Sequence, residues 1–148
     1  MIKVLGFLIL SSLCFANGGK DGGIAGGKSN LSKDDINKLV LANGGFSKGL
    51  DIATEMINNK TKKHSKKTHR LVIHEIVSAT SQVVAGIKYN VNVKMVESIC
   101  KNTKENAQKK IVDCPAKKRK EEKICNVTIL SQSWIGNLNV TVSCEKHK

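Results

Sequence analysis

The residues best suited to an interaction are the stretch Gln82-Val83-Val84-Ala85-Gly86 and the single tryptophan, Trp134. The stretch separates two strand-like runs and therefore predicts a turn whose tip carries small apolar side chains. Gly86 can take a positive φ there without steric cost. An apolar turn leaves surface uncovered unless a partner buries it. A tryptophan flanked by turn residues is the kind of side chain that anchors an interface. The pattern predicts a binding device.

The remaining reactive side chains do not form a catalytic pattern. No turn combines a nucleophilic serine with a base and an orienting acid. The histidines lie in lysine-rich stretches or in a strand-like run, where solvated or strand-face positions are expected; they are His64, His69, His74 and His147. Metal-ligand spacing and a glycine-rich phosphate loop are missing from the sequence. We therefore expect no enzymatic activity, no metal and no cofactor.

The N-terminal residues are typical of a secretory signal. Lys3 precedes an apolar run from Val4 to Phe15, and Cys14-Phe15-Ala16 provides a small-residue cleavage site. The run is shorter than the ~20 residues that a membrane-spanning helix needs. We predict a signal peptide over residues 1–16, a flexible glycine-rich arm over residues 17–31 and one domain over residues 32–148. The mature protein would be extracellular.

Cleavage after Ala16 would remove Cys14 and leave four cysteines: Cys100, Cys114, Cys125 and Cys144. An even number in a small exported chain predicts two disulfides, and the residues alone allow three ways of pairing them. A metal site is the alternative. The spacing contains no Cys-x-x-Cys pair, and an oxidising compartment disfavours free thiolates.

A helical pattern begins after Ser32, which can cap a helix, and Ile36, Leu39 and Val40 follow at helical spacing. Asn43-Gly44-Gly45 interrupts the pattern. A second helical piece carries its apolar residues on one face: Leu50, Ala53, Met56 and Ile57. The sequence therefore predicts either one helix or two, split by an insertion around residues 43–49.

Strand character begins near Arg70. After Gly86 the residues alternate strictly, with one face made of Ile87, Tyr89, Val91, Val93 and Met95. Val127 to Leu130 and the alternating run from Leu138 to Cys144 predict two further strands joined by a hairpin at residues 133–137. The pattern predicts the α+β class, with an arm, a helical region and four strands in this order.

Gln-Val-Val-Ala-Gly between two strands, a tryptophan in a later hairpin and four downstream cysteines closely resemble the type 2 (secreted) cystatins. That resemblance implies a reversible, tight-binding inhibitor of papain-like cysteine proteases such as cathepsins L, S, B or C. It also implies a fold in which one helix, whole or split, packs across an antiparallel sheet. The resemblance further implies the sequential disulfides Cys100–Cys114 and Cys125–Cys144. In this family an N-terminal arm and two hairpin turns form a wedge that fills the protease cleft. Here the wedge would consist of Gly26-Gly27, Gln82-Val83-Val84-Ala85-Gly86 and Ser133-Trp134.

Three features depart from the family pattern. Ser133 stands where the family usually has proline, so the second turn is less preorganised. Gly44-Gly45 is a rival to Gly26-Gly27 as the arm glycine, although choosing it would leave only a short helix. The family segment that inhibits legumain aligns with Thr61-Lys62-Lys63, which lacks the asparagine, so we expect no legumain inhibition.

The chain is basic, with a formal net charge of +13. Lysine-rich stretches at residues 60–70 and 117–123 suggest an alternative function, a module of cystatin fold that binds polyanions or membranes and inhibits proteases weakly. Charge runs are also common on ordinary solvated surfaces. We expect a monomer that does not bind nucleic acid.

Overall fold

The computed structural model describes residues 26–64, 68–107, 113–118 and 121–145. The predicted signal peptide and most of the predicted arm lie outside this part of the chain. The elements in chain order are β1 (Lys28–Asn30), α1 (Lys33–Leu41), α2 (Gly45–His64), β2 (His69–Val84), β3 (Gly86–Lys101), α3 (Lys104–Ala107), β4 (Lys123–Gln132), a 3-10 helix (Ser133–Ile135) and β5 (Asn137–Cys144). No helix in the described ranges is long and apolar enough to span a membrane.

The sheet is antiparallel throughout and its five strands follow chain order, β1-β2-β3-β4-β5. The α+β prediction is confirmed, but the sequence predicted four strands. The additional strand is β1, which comes from the stretch assigned to the flexible arm. Its Lys28 pairs with Gln82 and its Asn30 with Thr80. All three residues of β1 are exposed, so no apolar alternation marks it in the sequence.

The helical region consists of two helices, one of the two predicted arrangements. Ser32 caps α1, because its hydroxyl accepts a hydrogen bond from the Asp35 N–H at 3.2 Å while the Asp35 carboxylate accepts one from the Ser32 N–H at 3.3 Å. Asn43 has a φ of 50°, which interrupts the helical path between α1 and α2. The break covers residues 42–44 only. The predicted insertion of residues 43–49 is too long, since residues 45–49 belong to α2.

Close packing of α2 against the sheet explains the glycine at position 49. A Cβ placed on Gly49 would lie 2.6 Å from a side-chain carbon of Ile129 on β4. The absence of side chains here lets α2 approach the sheet closely. Phe46 can then bury its ring against Tyr89, edge to face with ring centres 5.1 Å apart.

The main core lies between α2 and one face of the sheet. It contains Phe46, Leu50, Ala53 and Ile57 from α2 and Tyr89, Val91, Val93, Met95, Val127 and Ile129 from the strands. The alternation predicted for β3 is thus confirmed, except that Ile87 at its start is 42% exposed. A smaller cluster of Val72, Val96 and Cys114 lies elsewhere.

Two disulfides join the cysteines in the order that the family resemblance implies, Cys100 to Cys114 and Cys125 to Cys144. The first ties the end of β3 to residues 113–118. The second joins β4 to β5, where the two cysteines are register partners. Together they fix the end of the sheet that lies opposite the β2–β3 turn.

Candidate functional site

The turn between β2 and β3 is tighter than the sequence predicted. The strands run as far as Val84 and resume at Gly86, so Ala85 alone connects them. Gly86 has a φ of 130°, and a Cβ on it would lie 2.6 Å from the carbonyl oxygen of Ser131. Both the backbone conformation and the contact with β4 therefore require glycine at this position.

Amide side chains connect this turn to its two neighbours. On one side, the Gln82 side-chain nitrogen donates a hydrogen bond to the Gly26 carbonyl at 2.7 Å. On the other side, the Gln132 side-chain nitrogen donates to the Ala85 carbonyl at 2.7 Å. The Asn137 side chain in turn donates to the Gln132 side-chain oxygen at 2.7 Å. Segments far apart in the sequence are thereby held side by side at one end of the sheet.

The second turn is a 3-10 helix, Ser133–Ile135, closed by Gly136 with a left-handed φ of 64°. The prediction of a hairpin turn at residues 133–137 is confirmed. Ser133 begins this helix and is exposed. Serine in place of the family's usual proline is therefore compatible with a compact turn at position 133.

Exposed apolar side chains crowd this end of the sheet. The exposed fraction is 64% for Trp134, 63% for Val83 and 42% for Val84. Ile135 is also 63% exposed, and sequence reasoning missed it. Its position directly after Trp134 in a turn was the available signal. We call the surface made of Gly26-Gly27, the Gln82–Gly86 segment and the Ser133–Ile135 helix the apolar edge.

Beside the apolar edge, α1 and the sheet form the walls of an open cleft of about 390 Å³. Its walls are mostly apolar and come from Leu31, Asp35, Lys38, Leu39, Ser81, Val83, Ile87 and Tyr89. Hydrogen bonds from the Ser32 side chain and backbone lower the pKa of Asp35, so this carboxylate is ionised at neutral pH. Burial raises the pKa of Tyr89, which stays neutral.

The two candidate arm glycines occupy different places. Gly26 has a φ of 90° and accepts the hydrogen bond from Gln82, so it borders the apolar edge. Gly44 lies in the break between α1 and α2, where an added Cβ would meet no atom within 4 Å. The apolar residues Ile24 and Ala25 that precede Gly26 lie outside the described residues.

The apolar edge has the composition of a contact surface rather than a reaction centre. Titratable side chains are missing from the segments that define it. All four cysteines from Cys100 onward are in disulfides. Within the described ranges, no group of three or more His, Cys, Asp or Glu side chains could hold a metal ion. What the arrangement can do is present backbone and apolar side chains to a partner.

Residues 44–134, more than half of the chain, match the model of the Cystatin domain family. Cystatin J of Cyanea capillata is 33% identical over 87 residues, which cover 59% of each chain. A cystatin of Pseudechis australis is 35% identical over 74 residues, covering 47% of this chain and 52% of that protein. The chain thus spans between half and three fifths of the length of these two relatives.

A further relative matches nearly the whole chain. Cystatin-1 of Chilobrachys guangxiensis is 24% identical over 135 residues, or 90% of this chain and 88% of that protein. Gly26 and β1 precede residues 44–134, which match the family model. Their likeness to cystatins is therefore supported by this longer match and by the fold.

Solved structures support the fold. Dimeric human cystatin F covers 90% of this chain with a TM-score of 0.61 at 17% identity, and 98% of that chain is matched. A salivary cystatin from the soft tick Ornithodoros moubata covers 83% with a TM-score of 0.58 at 20% identity, and it is matched over its full length. At these identities the likeness concerns the fold alone. Together with the family model that matches more than half of its residues, it shows that this chain belongs to the cystatin family.

Proposed function

We propose that the protein is a reversible, tight-binding inhibitor of papain-like cysteine proteases, such as cathepsins L, S, B or C. The apolar edge enters the active-site cleft as a wedge and excludes substrate. Gly26-Gly27, Gln82 to Gly86 and Ser133-Trp134 make the contact, and we add Ile135. Membership of a family of cysteine protease inhibitors supports this proposal.

The single observation that carries the proposal is the fixed, exposed apolar surface at the edge. Val83, Trp134 and Ile135 are each more than 60% exposed, although burying an apolar side chain of this size stabilises by roughly 1.5–3 kcal/mol. A partner that covers them recovers this energy. Because the amides of Gln82 and Gln132 already hold the three segments together, little conformational entropy is lost on binding.

The proposal also includes export. The residues of the predicted signal peptide, 1–16, and the two disulfides support a protein that is cleaved after Ala16 and acts outside the cell. N-terminal sequencing of the protein secreted from eukaryotic cells should begin at Asn17. Retention of the uncleaved chain inside the cells would contradict this part of the proposal.

Equilibrium inhibition of papain and cathepsin L by purified, oxidised protein tests the wedge. We expect nanomolar or tighter inhibition, corresponding to about −12 kcal/mol. Trp134→Ala should weaken it by at least ~30-fold, since exposed tryptophans at turns are typical hot spots.

Ile99→Ala is the matched control for this experiment. Ile99 is 58% exposed, almost as much as Trp134, but it lies towards the other end of β3. Its inhibition constant should stay within about twofold of the unchanged protein. Absence of inhibition at micromolar protein, or equal losses in the two variants, would rule out the wedge.

A further inference from the structure

Almost all of the net charge resides in two segments of the sequence. Residues 60–70 and 101–123 contain 15 of the 25 Lys and Arg residues and 4 of the 12 Asp and Glu residues. They therefore carry +11 of the formal net charge of +13. The rest of the chain is nearly neutral, so the charge is concentrated in two segments of the sequence.

The fold brings the described parts of these two segments, residues 60–64, 68–70, 101–107, 113–118 and 121–123, to the same end of the sheet. His69, the first residue of β2, pairs with Lys101, the last residue of β3. The Asn102 N–H donates to the Thr68 carbonyl at 2.8 Å, and the Asn102 side chain donates to the Asn58 carbonyl of α2 at 3.0 Å. The C-terminal turns of α2 therefore lie beside the end of β3.

Residues 113–118 join the same end of the sheet. The Ile99 N–H donates to the Pro115 carbonyl at 3.0 Å, and the Lys117 N–H donates to the Glu97 carbonyl at 2.9 Å. The Cys100–Cys114 disulfide fixes this position covalently. Three elements that are distant in the sequence thus meet around the end of β3, and their exposed residues make up the surface at this end of the sheet.

Five exposed lysines occupy this surface, which we call the basic pole: Lys62, Lys63, Lys101, Lys104 and Lys118. None of them forms an ion pair with an acidic side chain that the structure describes. Two nearby carboxylates are already paired, Glu97 with Lys117 at 3.1 Å and Glu55 with the buried Arg70. Exposed lysines on neighbouring elements attract a polyanion, and this attraction must outweigh the exposed carboxylates of Glu105 and Asp113 on the same elements.

The chemistry of the basic pole points to one class of polyanion. The five aromatic residues of the chain all lie in other parts of the sequence, so unpaired bases have no stacking platform here. Ile99 is its single strongly exposed large apolar side chain among the described residues, which is little for insertion into a membrane. Lysines act as point charges on flexible stems and match sulfates spaced along a flexible chain.

We propose that the basic pole binds a sulfated polysaccharide, independently of the apolar edge. β2 begins at the basic pole with His69 and ends at the apolar edge with Val84. At ~3.3 Å per residue, this strand of 16 residues separates the two surfaces by about 50 Å along its path. A protease and a polysaccharide can therefore be bound at the same time.

Binding of the full chain to immobilised heparin tests the proposal. The pole variant removes one lysine from each of the three elements: Lys63→Gln, Lys101→Gln and Lys118→Gln. The control removes the same charge elsewhere, from α1 and the start of α2: Lys33→Gln, Lys38→Gln and Lys48→Gln. All six are exposed. We expect affinity to fall at least ~10-fold in the pole variant and less than ~3-fold in the control.

Further outcomes separate this surface from others. Trp134→Ala should bind heparin as the unchanged protein does, whether or not it inhibits proteases. Equal losses in the pole and control variants would mean that only net charge matters and would overturn the proposal. Loss in Trp134→Ala, or binding to phosphatidylserine vesicles as tight as to heparin, would overturn it as well.

Discussion

The two ends of the sheet expose opposite chemistry. At the apolar edge the exposed side chains include Val83, Trp134 and Ile135, while at the basic pole they include five lysines. Apolar surface gains energy only when a close-fitting partner removes it from water. Charges act over about a Debye length and tolerate loose fit. This difference is why we propose a specific cleft as the partner of one end and a chain of repeated anions as the partner of the other.

The two ends of the sheet also differ in the interactions that stabilise them. The hydrogen bonds of Gln82 and Gln132 at the apolar edge are exposed to solvent. Near the basic pole, Asn58 is fully buried, and a disulfide closes the loop after β3. Stability should therefore depend most on the pole end, while substitutions at the edge should change binding more than stability.

Asn58→Ala should have the largest effect. The Asn58 side chain accepts a hydrogen bond from the Leu71 N–H at 2.7 Å and donates one to the Leu71 carbonyl at 2.8 Å, in place of a neighbouring strand. Removing it leaves both buried groups unpaired, and we expect the free energy of unfolding to fall by about 3 kcal/mol. Urea unfolding measures this loss.

Asn59→Ala is the matched control, because the adjacent Asn59 is exposed. Its unfolding free energy should change by less than about 0.5 kcal/mol. Similar urea midpoints for the two variants would show that the pole end is not the anchored end.

Gly86→Ala should affect both stability and binding. The φ of 130° and the 2.6 Å approach of an added Cβ to the Ser131 carbonyl would cost roughly 1–3 kcal/mol of unfolding free energy. The displaced turn should also weaken papain inhibition. Gly44→Ala is the control, since a Cβ there meets nothing and the φ is not positive. If both variants unfold alike, the turn is not strained.

Sequence reasoning succeeded where periodicity reports burial. The alternation after Gly86 identified the core face of β3, because a half-buried strand has a period of two. It could not find β1, whose exposed residues Lys28–Asn30 are held by backbone pairing alone. Strand pairing at an open edge leaves no signature in side-chain type.

Long-range polar contacts were equally invisible. Asn58 resembles any polar residue of an amphipathic helix, and its burial depends on Leu71, thirteen positions away. The tie from Gln132 to Ala85 spans 47 positions. The sequence did predict Gln82 to Gly86 and Trp134 as candidate residues from their types. The contacts that hold them together required the fold.

Gln132→Ala should have a smaller effect, confined to the apolar edge. It removes the hydrogen bond to the Ala85 carbonyl and the one that Asn137 donates to the Gln132 side-chain oxygen. The first of these joins the two turns, and its loss, about 1 kcal/mol, corresponds to roughly fivefold weaker papain inhibition. The urea midpoint should hardly move, because the bond is exposed. Thr128→Ala on the same strand is the control, since its side chain bonds only to Asn90. Equal inhibition constants for the two variants would mean that inhibition does not depend on the hydrogen bond between the two turns.

Added salt should have a smaller effect on papain inhibition than any of the edge substitutions above. Between low salt and ~1 M NaCl the Debye length falls to about 3 Å, which removes most attraction between exposed charges. The proposed papain inhibition by apolar contact should change by less than ~3-fold, whereas heparin affinity should fall by ~100-fold or more. Titrating both interactions in the same buffers makes this comparison direct. Parallel salt dependence would mean that the net charge governs both interactions, and the two ends of the sheet would then not be chemically separate surfaces.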